Sequence, residues 1–337
     1  MDALVVGLNG ALQRRVGFAG KVNLGGVNRA ADSSTGVGGK GQGAWIATQQ
    51  LLSARKPPAE TEAGAGEGGK QKLNTKLVQF YGSGDEGSAL LGAIRSQCPG
   101  ADDEALWVQT ASKTRICTTL VSADSGEATE IVEPSGVVTA EEVATLLAAL
   151  EAEKAKHGSA RAEEGALGLP GVLVMGSMPP GVPGDAYGRI VSAVGGSATK
   201  VVVDSVAGTG PLLAAVRKIE GCSAVLKLNG REVLRMAGEV GPGGSDNDVA
   251  VDHSAVAAAA KKLVASFNED DDDEEVGGGS SSVEFVCWTD GRFPAGALEV
   301  SSGRTWSIAL PPLPGPVVSP VGAGDAVAGA TFVSWLI

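Results

Sequence analysis

A chain of 337 residues with 43% hydrophobic side chains can bury a large core, as one α/β domain or two. Seven of the twelve net negative charges sit in the run Glu269–Glu275, and no basic stripe engages phosphates, which argues against nucleic-acid binding. No stretch is long and apolar enough to span a bilayer, and the N-terminus has no signal-peptide pattern. Cys98, Cys117, Cys222 and Cys287 lack metal-like spacing and read as isolated buried thiols in a reducing, cytoplasmic compartment; an organelle is the alternative if a targeting segment precedes the chain. With only His157 and His253, one in a charged helix end and one beside a loop, Ser-His-Asp and histidine-metal chemistry have little to build on.

Ala3 to Gly7 reads as a buried strand leading into Leu8-Asn9-Gly10-Ala11-Leu12-Gln13. Arg14 to Val37 is glycine-rich, with short strands and turns expected. Gly36-Val37-Gly38-Gly39-Lys40-Gly41 then opens a helix over Ala44–Leu52. Gly36, Gly38 and Gly41 satisfy the spacing of a dinucleotide-binding turn, but no strong strand precedes them, and glycine after Lys40 excludes a P-loop. A lysine among glycines at a helix start remains a good place for an anionic group.

The low-complexity stretch 56–72 reads as a surface loop, as does the acidic, glycine- and serine-rich stretch 269–282. Beyond the first of these, strands are expected at Leu77–Tyr81, Val172–Met175, Lys200–Asp204, Ala224–Lys227 and Val283–Cys287. Helices are expected at Ser88–Ser96, Ala140–Lys156 and Pro211–Ile219, and a hairpin at Ile116–Ser122 and Ala128–Val132. Repeated βα units argue for a mostly parallel sheet with helices on both faces, and glycine and polar residues gather after the strands, where ligands bind in such sheets.

Near the end, Gly322-Ala323-Gly324-Asp325 opens a run of helical composition. Free amides at a helix start suit a phosphoryl group. An aspartate there would repel that group, but it is well placed to take a proton from an attacking hydroxyl. The plainer alternative is an aspartate N-cap after a glycine turn.

The chain resembles the PfkB branch of the ribokinase-like carbohydrate kinases, closest in pattern to the 1-phosphofructokinase and tagatose-6-phosphate kinase type. The resemblance rests on Asn9-Gly10-Ala11-Leu12, Gly38-Gly39-Lys40-Gly41, Gly176-Ser177-Met178-Pro179-Pro180-Gly181, Lys227-Leu228-Asn229-Gly230-Arg231-Glu232 and Gly322-Ala323-Gly324-Asp325, in that order. It implies a single ribokinase-like domain over 1–337, with residues 14–37 forming a small β-sheet lid. It also implies ATP-dependent transfer to a hydroxyl of a sugar or sugar phosphate, and allows a homodimer through the lid. Asp325 would be the general base, with the amides of Gly322, Ala323 and Gly324 as the anion hole. Asn229 and Glu232 would organise Mg2+. Lys227, Asn229, Thr289 and Gly291 would lie along the nucleotide. Asn9, Gln13, Gly38, Gly39 and Ser177 would line the sugar, and Arg29, Lys40 and Arg115 would hold its existing phosphate.

Three departures accompany the resemblance. Gln13 stands where the family has an aspartate that grips sugar hydroxyls, and Gly43 stands where it has an asparagine, so the sugar grip is altered. Family members also continue with further helices where this chain stops at Ile337, so the C-terminus reads as truncated. A second class of function therefore stays open, a non-catalytic relative that binds a sugar or nucleotide. A kinase of nucleosides or unphosphorylated sugars fits less well with three cations at the substrate end.

Overall fold

The structure, a computed structural model, describes residues 2–54, 73–100, 106–161, 168–240, 250–269, 282–311 and 322–337. Both low-complexity stretches lie outside these residues, apart from Glu269 and Ser282. In chain order the elements begin with β1 (Asp2–Asn9), β2 (Ala11–Phe18), β3 (Asp32–Gly38), α1 (Lys40–Ala54), β4 (Asn74–Gly82), α2 (Asp85–Gln97) and β5 (Leu106–Thr110). Next come β6 (Arg115–Ser122), β7 (Ala128–Val132), α3 (Ala140–Arg161), β8 (Gly171–Met175), α4 (Ala186–Val194), β9 (Lys200–Asp204) and α5 (Thr209–Arg217). The last are β10 (Ser223–Asn229), α6 (Gly230–Met236), α7 (His253–Glu269), β11 (Val283–Asp290), β12 (Phe293–Glu299), β13 (Thr305–Ile308) and α8 (Ala323–Leu336).

A nine-stranded sheet runs β13-β12-β11-β10-β9-β8-β1-β4-β5, parallel except for the antiparallel β11–β12 and β12–β13 pairings at one end. Its central strands are buried on both faces, as parallel sheets require. In β1, Leu4, Val6 and Leu8 enter one apolar layer while Ala3 and Val5 enter the other. The alternation of side chains along a strand thus feeds two cores from one run of residues.

The lid is larger than the stretch 14–37. It is a four-stranded sheet, β3-β2-β6-β7, in which the β6–β7 hairpin supplies half the strands and β2 pairs with β6 in parallel. The strand before the glycine turn, one of the short strands expected across 14–37, is exposed over its first four residues. β3 runs straight into α1, through Gly39 at φ +98°. The sequence pattern also missed β5, α4, α7, β12 and β13. β5 and β13 are short edge strands and α7 is alanine-rich, which weakens their apolar patterns, whereas α4 buries a clear helical stripe of Tyr187, Ile190, Val191 and Val194.

Glycines set how closely α1 approaches its neighbours. A Cβ on Gly41 would lie 2.3 Å from the Cα of Gly7, so the start of α1 rests directly on β1. On the other side, a Cβ on Gly329 would lie 2.8 Å from the Ala44 carbonyl, which draws α8 against α1. Among the described residues, no helix is long and apolar enough to cross a membrane. The four cysteines are free, with Cys117 and Cys222 buried and Cys98 and Cys287 half-buried. His253 is the first residue of α7 and packs on Trp288, with ring centroids 5.8 Å apart. His157 lies in α3.

Candidate active site

The carboxyl ends of β9 and β10 meet the starts of α1, α6 and α8, and charged side chains converge there. Lys227 of β10 is buried, with Nζ 2.7 Å from Asp204 Oδ2. Lys40, the first residue of α1, donates to the other oxygen, Asp204 Oδ1, at 3.1 Å. Its Nζ also lies 3.5 Å from Glu232 Oε1. Asp204 thus ties two lysines together from the last position of an apolar strand. Its signal in the sequence was that acid closing the run Val201-Val202-Val203, to which no role was assigned.

The turn before α8 sits on this network. Gly322, at φ +85°, is the N-cap, and the first helical bond runs from the Ala326 N–H to its carbonyl. The amides of Ala323, Gly324 and Asp325 therefore have no acceptor within the helix. Lys227 Nζ donates to the Gly324 carbonyl at 3.2 Å and anchors the turn from below. Asp325 is not the cap but lies in the first helical turn. Burial pushes its carboxyl up to about 7, Asp204 reinforces the rise, and Lys40 and Lys227 offset part of it. Glu130, on lid strand β7, adds a further upward push. Burial lowers Lys40, but the carboxylates of Asp204, Glu232 and Asp325 outweigh it and hold the ammonium above its ordinary value.

Asn229 and Glu232 form a reciprocal capping box at the start of α6. The Glu232 N–H donates to Asn229 Oδ1 at 2.8 Å, and the Asn229 N–H donates to Glu232 Oε2 at 2.9 Å. Helix capping thus accounts for their spacing, while Glu232 Oε1 remains directed at Lys40. Thr289 pairs in register with Asn229, and Gly291, at φ +58°, turns β11 into β12. These residues line the same sheet end.

A second cluster surrounds Asn9. Its Nδ2 donates to Ser177 Oγ at 2.9 Å, Ser135 Oγ donates to its Oδ1 at 2.9 Å, and Arg115 Nη2 donates to its carbonyl at 3.2 Å. Arg115 Nε is buried without a partner, beside a cavity of about 30 Å³ that Lys113, Thr110 and Ser135 help to line. The hydroxyl of the buried Tyr187 donates to the Gly176 carbonyl at 3.0 Å, steadying the loop that carries Ser177. Gly38 and Gly39 bring the lid against Asn9 and Gly10, since a Cβ on Gly39 would lie 3.2 Å from the Gly10 Cα. Gln13 is occupied inside the lid, its Nε2 donating to Thr119 Oγ1 at 2.8 Å.

The expected cationic trio is not one cluster. Lys40 belongs with Asp204 and Glu232, Arg115 with Asn9, and Arg29 is exposed on the turn between β2 and β3. The long side chain of Lys40 follows the nearest buried carboxylates, which spacing along the chain does not reveal. Gly43 is not a vacancy facing only the sugar either. A Cβ there would lie 2.8 Å from Asp325 Oδ2.

No protein-family model matches the sequence, and no curated protein matches it. Solved structures do. Phosphofructokinase-2 from Escherichia coli, in complex with fructose-6-phosphate, aligns over 100% of this chain and 86% of its own, with TM-score 0.65 and 18% identity. The fold is that of the ribokinase-like sugar kinases. Ribokinase from Giardia lamblia aligns over 97% of this chain and 81% of its own, with TM-score 0.63 and 16% identity. A possible 1-phosphofructokinase from Thermotoga maritima aligns over 100% and 88%, with TM-score 0.61 and 19% identity. In this ribokinase-like fold the sheet end that carries Asp325 is also the end that the lid adjoins, since Asn9, at the end of β1, leads directly into β2.

Proposed function

We propose that the chain is an ATP-dependent phosphotransferase acting on a hydroxyl of a sugar or sugar phosphate, with Asp325 as general base. One observation carries this reading: a half-buried carboxylate whose proton affinity is raised to about 7, flanked by two lysines at an open helix N-terminus. A base poised near the working pH is what proton removal from an alcohol needs. As the acceptor oxygen bonds to the γ-phosphorus, its proton passes to Asp325 and the bond from phosphorus to the bridging oxygen breaks, releasing ADP. The amides of Gly322, Ala323 and Gly324 would supply donors to the moving group, and Lys40 and Lys227 positive charge.

Lys227, Asn229, Thr289 and Gly291 would lie along the nucleotide. Magnesium keeps several waters and binds through one or two carboxylates plus substrate phosphates. Glu232 suits that habit, with Oε1 free of the capping box and Asn229 orienting the side chain. Among the described residues, no group of three or more acids, histidines or cysteines could hold a metal alone. The ion would neutralise phosphate charge.

Asn9, Gln13, Gly38, Gly39 and Ser177 would face the sugar. The unpartnered Nε of Arg115 supports a role in holding an existing phosphate, with Arg29 as a second cation on the exposed lid turn. We also propose that two copies pair through the lid, whose edge strand β7 is exposed at every position and carries Ile131 and Val132. The deciding experiment is ADP release by the wild-type chain across free and phosphorylated sugars, with Asp325→Asn as the blank. ATP binding with no turnover on any acceptor would replace the kinase by a non-catalytic binding protein.

A further inference from the structure

The start of α1 contains two glycines within its first turn, Gly41 and Gly43, although glycine costs a helix about 1 kcal/mol relative to alanine. Gly41 is explained by backbone contact, since its Cβ would overlap Gly7. Gly43 is different. The three atoms nearest its Cβ position all belong to the Asp325 side chain, Oδ2 at 2.8 Å, Cβ at 3.3 Å and Cγ at 3.4 Å. Nothing in the backbone of α8 comes closer. Gly329, on the facing side of the same helix crossing, shows the opposite pattern, with a backbone carbonyl as the nearest atom. Helix packing therefore accounts for Gly329, whereas Gly43 is matched to one carboxylate.

We infer that Gly43 is a positioning residue for Asp325: its missing side chain lets the carboxylate withdraw into the α1–α8 crossing. The inference rests on the reading of Asp325 as base, and it goes beyond it by naming what holds that base in place. A methyl group at 43 overlaps most with Oδ2, the end of a rotatable side chain, and at 3.3 Å from the Asp325 Cβ it asks α8 to give by only a few tenths of an ångström. The carboxylate then swings toward the cleft. The charged groups that face it are Asp204 from β9, Lys40 from α1, Lys227 from β10 and Glu130 from β7. Outside the crossing, water and the two lysines stabilise the ionised form, so the raised proton affinity relaxes toward the ordinary carboxylate range.

The test is the titration of the Asp325 carboxyl, followed by 13C NMR on aspartate-labelled protein, with Asp325→Asn identifying the signal. Wild type should titrate near 7, and Gly43→Ala lower by at least about half a unit. If the wild type turns over sugar, Gly43→Ala should lower kcat at least about tenfold while KM for ATP stays within about twofold, and the kinetic pH profile should move with the NMR titration. If the wild type has no turnover but the titration moves, the kinase reading fails and the positioning inference stands. An unchanged titration in folded Gly43→Ala would overturn it. Should Gly43→Ala fold poorly, thermal melts settle the matter. In an Asp325→Ala background Gly43→Ala should raise the melting temperature more than in wild type, and equal effects in both backgrounds would sink the inference.

Discussion

Replacing Asp325 with asparagine separates the chemistry of the carboxylate from its shape. The side chain keeps its size in the α1–α8 crossing, and the amides of the preceding turn are untouched. If Asp325 removes the acceptor proton, turnover should fall by ~10²–10⁴-fold with little change in ATP affinity. Stability should change in the opposite direction. The ordinary carboxyl value is 3.8, and in the fold it rises to about 7. That is a difference of roughly three units at ~1.4 kcal/mol each, so ionising Asp325 inside the protein costs up to ~4 kcal/mol. Because the native state holds this proton more tightly than the unfolded chain, the group's contribution falls as pH rises from about 4 to about 7. Asp325→Asn should therefore match wild type near pH 4 and become progressively more stable than it, reaching a plateau above about pH 7. Chemical denaturation at a series of pH values reads this directly, alongside an ADP-release assay. A stability difference that does not grow across that window would refute the burial argument. Turnover close to wild type would place the base elsewhere.

Lys227→Met should destabilise the protein by ~3–5 kcal/mol, because it leaves Asp204 buried with half its charge compensation; a melting temperature near wild type would show that the pair contributes little. Arg115→Ala should raise KM for a phosphorylated acceptor by about tenfold or more while sparing ATP. Lys40→Ala should instead lower kcat and leave that KM nearly unchanged, since its partners lie beside Asp325, and a matching KM effect would return it to the phosphate subsite. Asn229→Ser retains a cap and should keep stability within ~0.5 kcal/mol, whereas Asn229→Ala should lose ~1 kcal/mol. A steeper Mg2+ requirement in both variants would support the metal-organising role, and its absence would leave capping alone. Ile131→Asp, on the exposed edge of the lid, should yield a monomer by light scattering at concentrations where wild type is dimeric; an unchanged mass would remove β7 from the interface.

Much of the architecture was legible in the residues. Runs such as Ala3–Val6 and Val201–Val203 are short, valine-rich and apolar at successive positions, as strands buried on both faces require, and their alternation with helical segments argues for a parallel sheet. The glycine turn before Asp325 is local and legible from its residues, whereas Asn229 and Glu232 were singled out only through the family resemblance. What spacing could not supply was the third dimension. Sequence order groups Arg29 and Lys40 within one stretch, yet the lid carries Arg29 outward while α1 delivers Lys40 to Asp204, 164 residues away along the chain. Asp204 itself is an ordinary strand-ending acid until two lysines from different elements close on it. Gly43 reads as a lost sugar contact in one dimension. It becomes a seat for Asp325 only because glycines and alanines let α1 and α8 cross closely enough to half-bury a carboxylate between them. The local backbone pattern thus determined which elements form and where their polar ends lie. Burial and charge at the site are properties of long-range packing, and the proton affinity of Asp325 was decided by the tertiary structure alone.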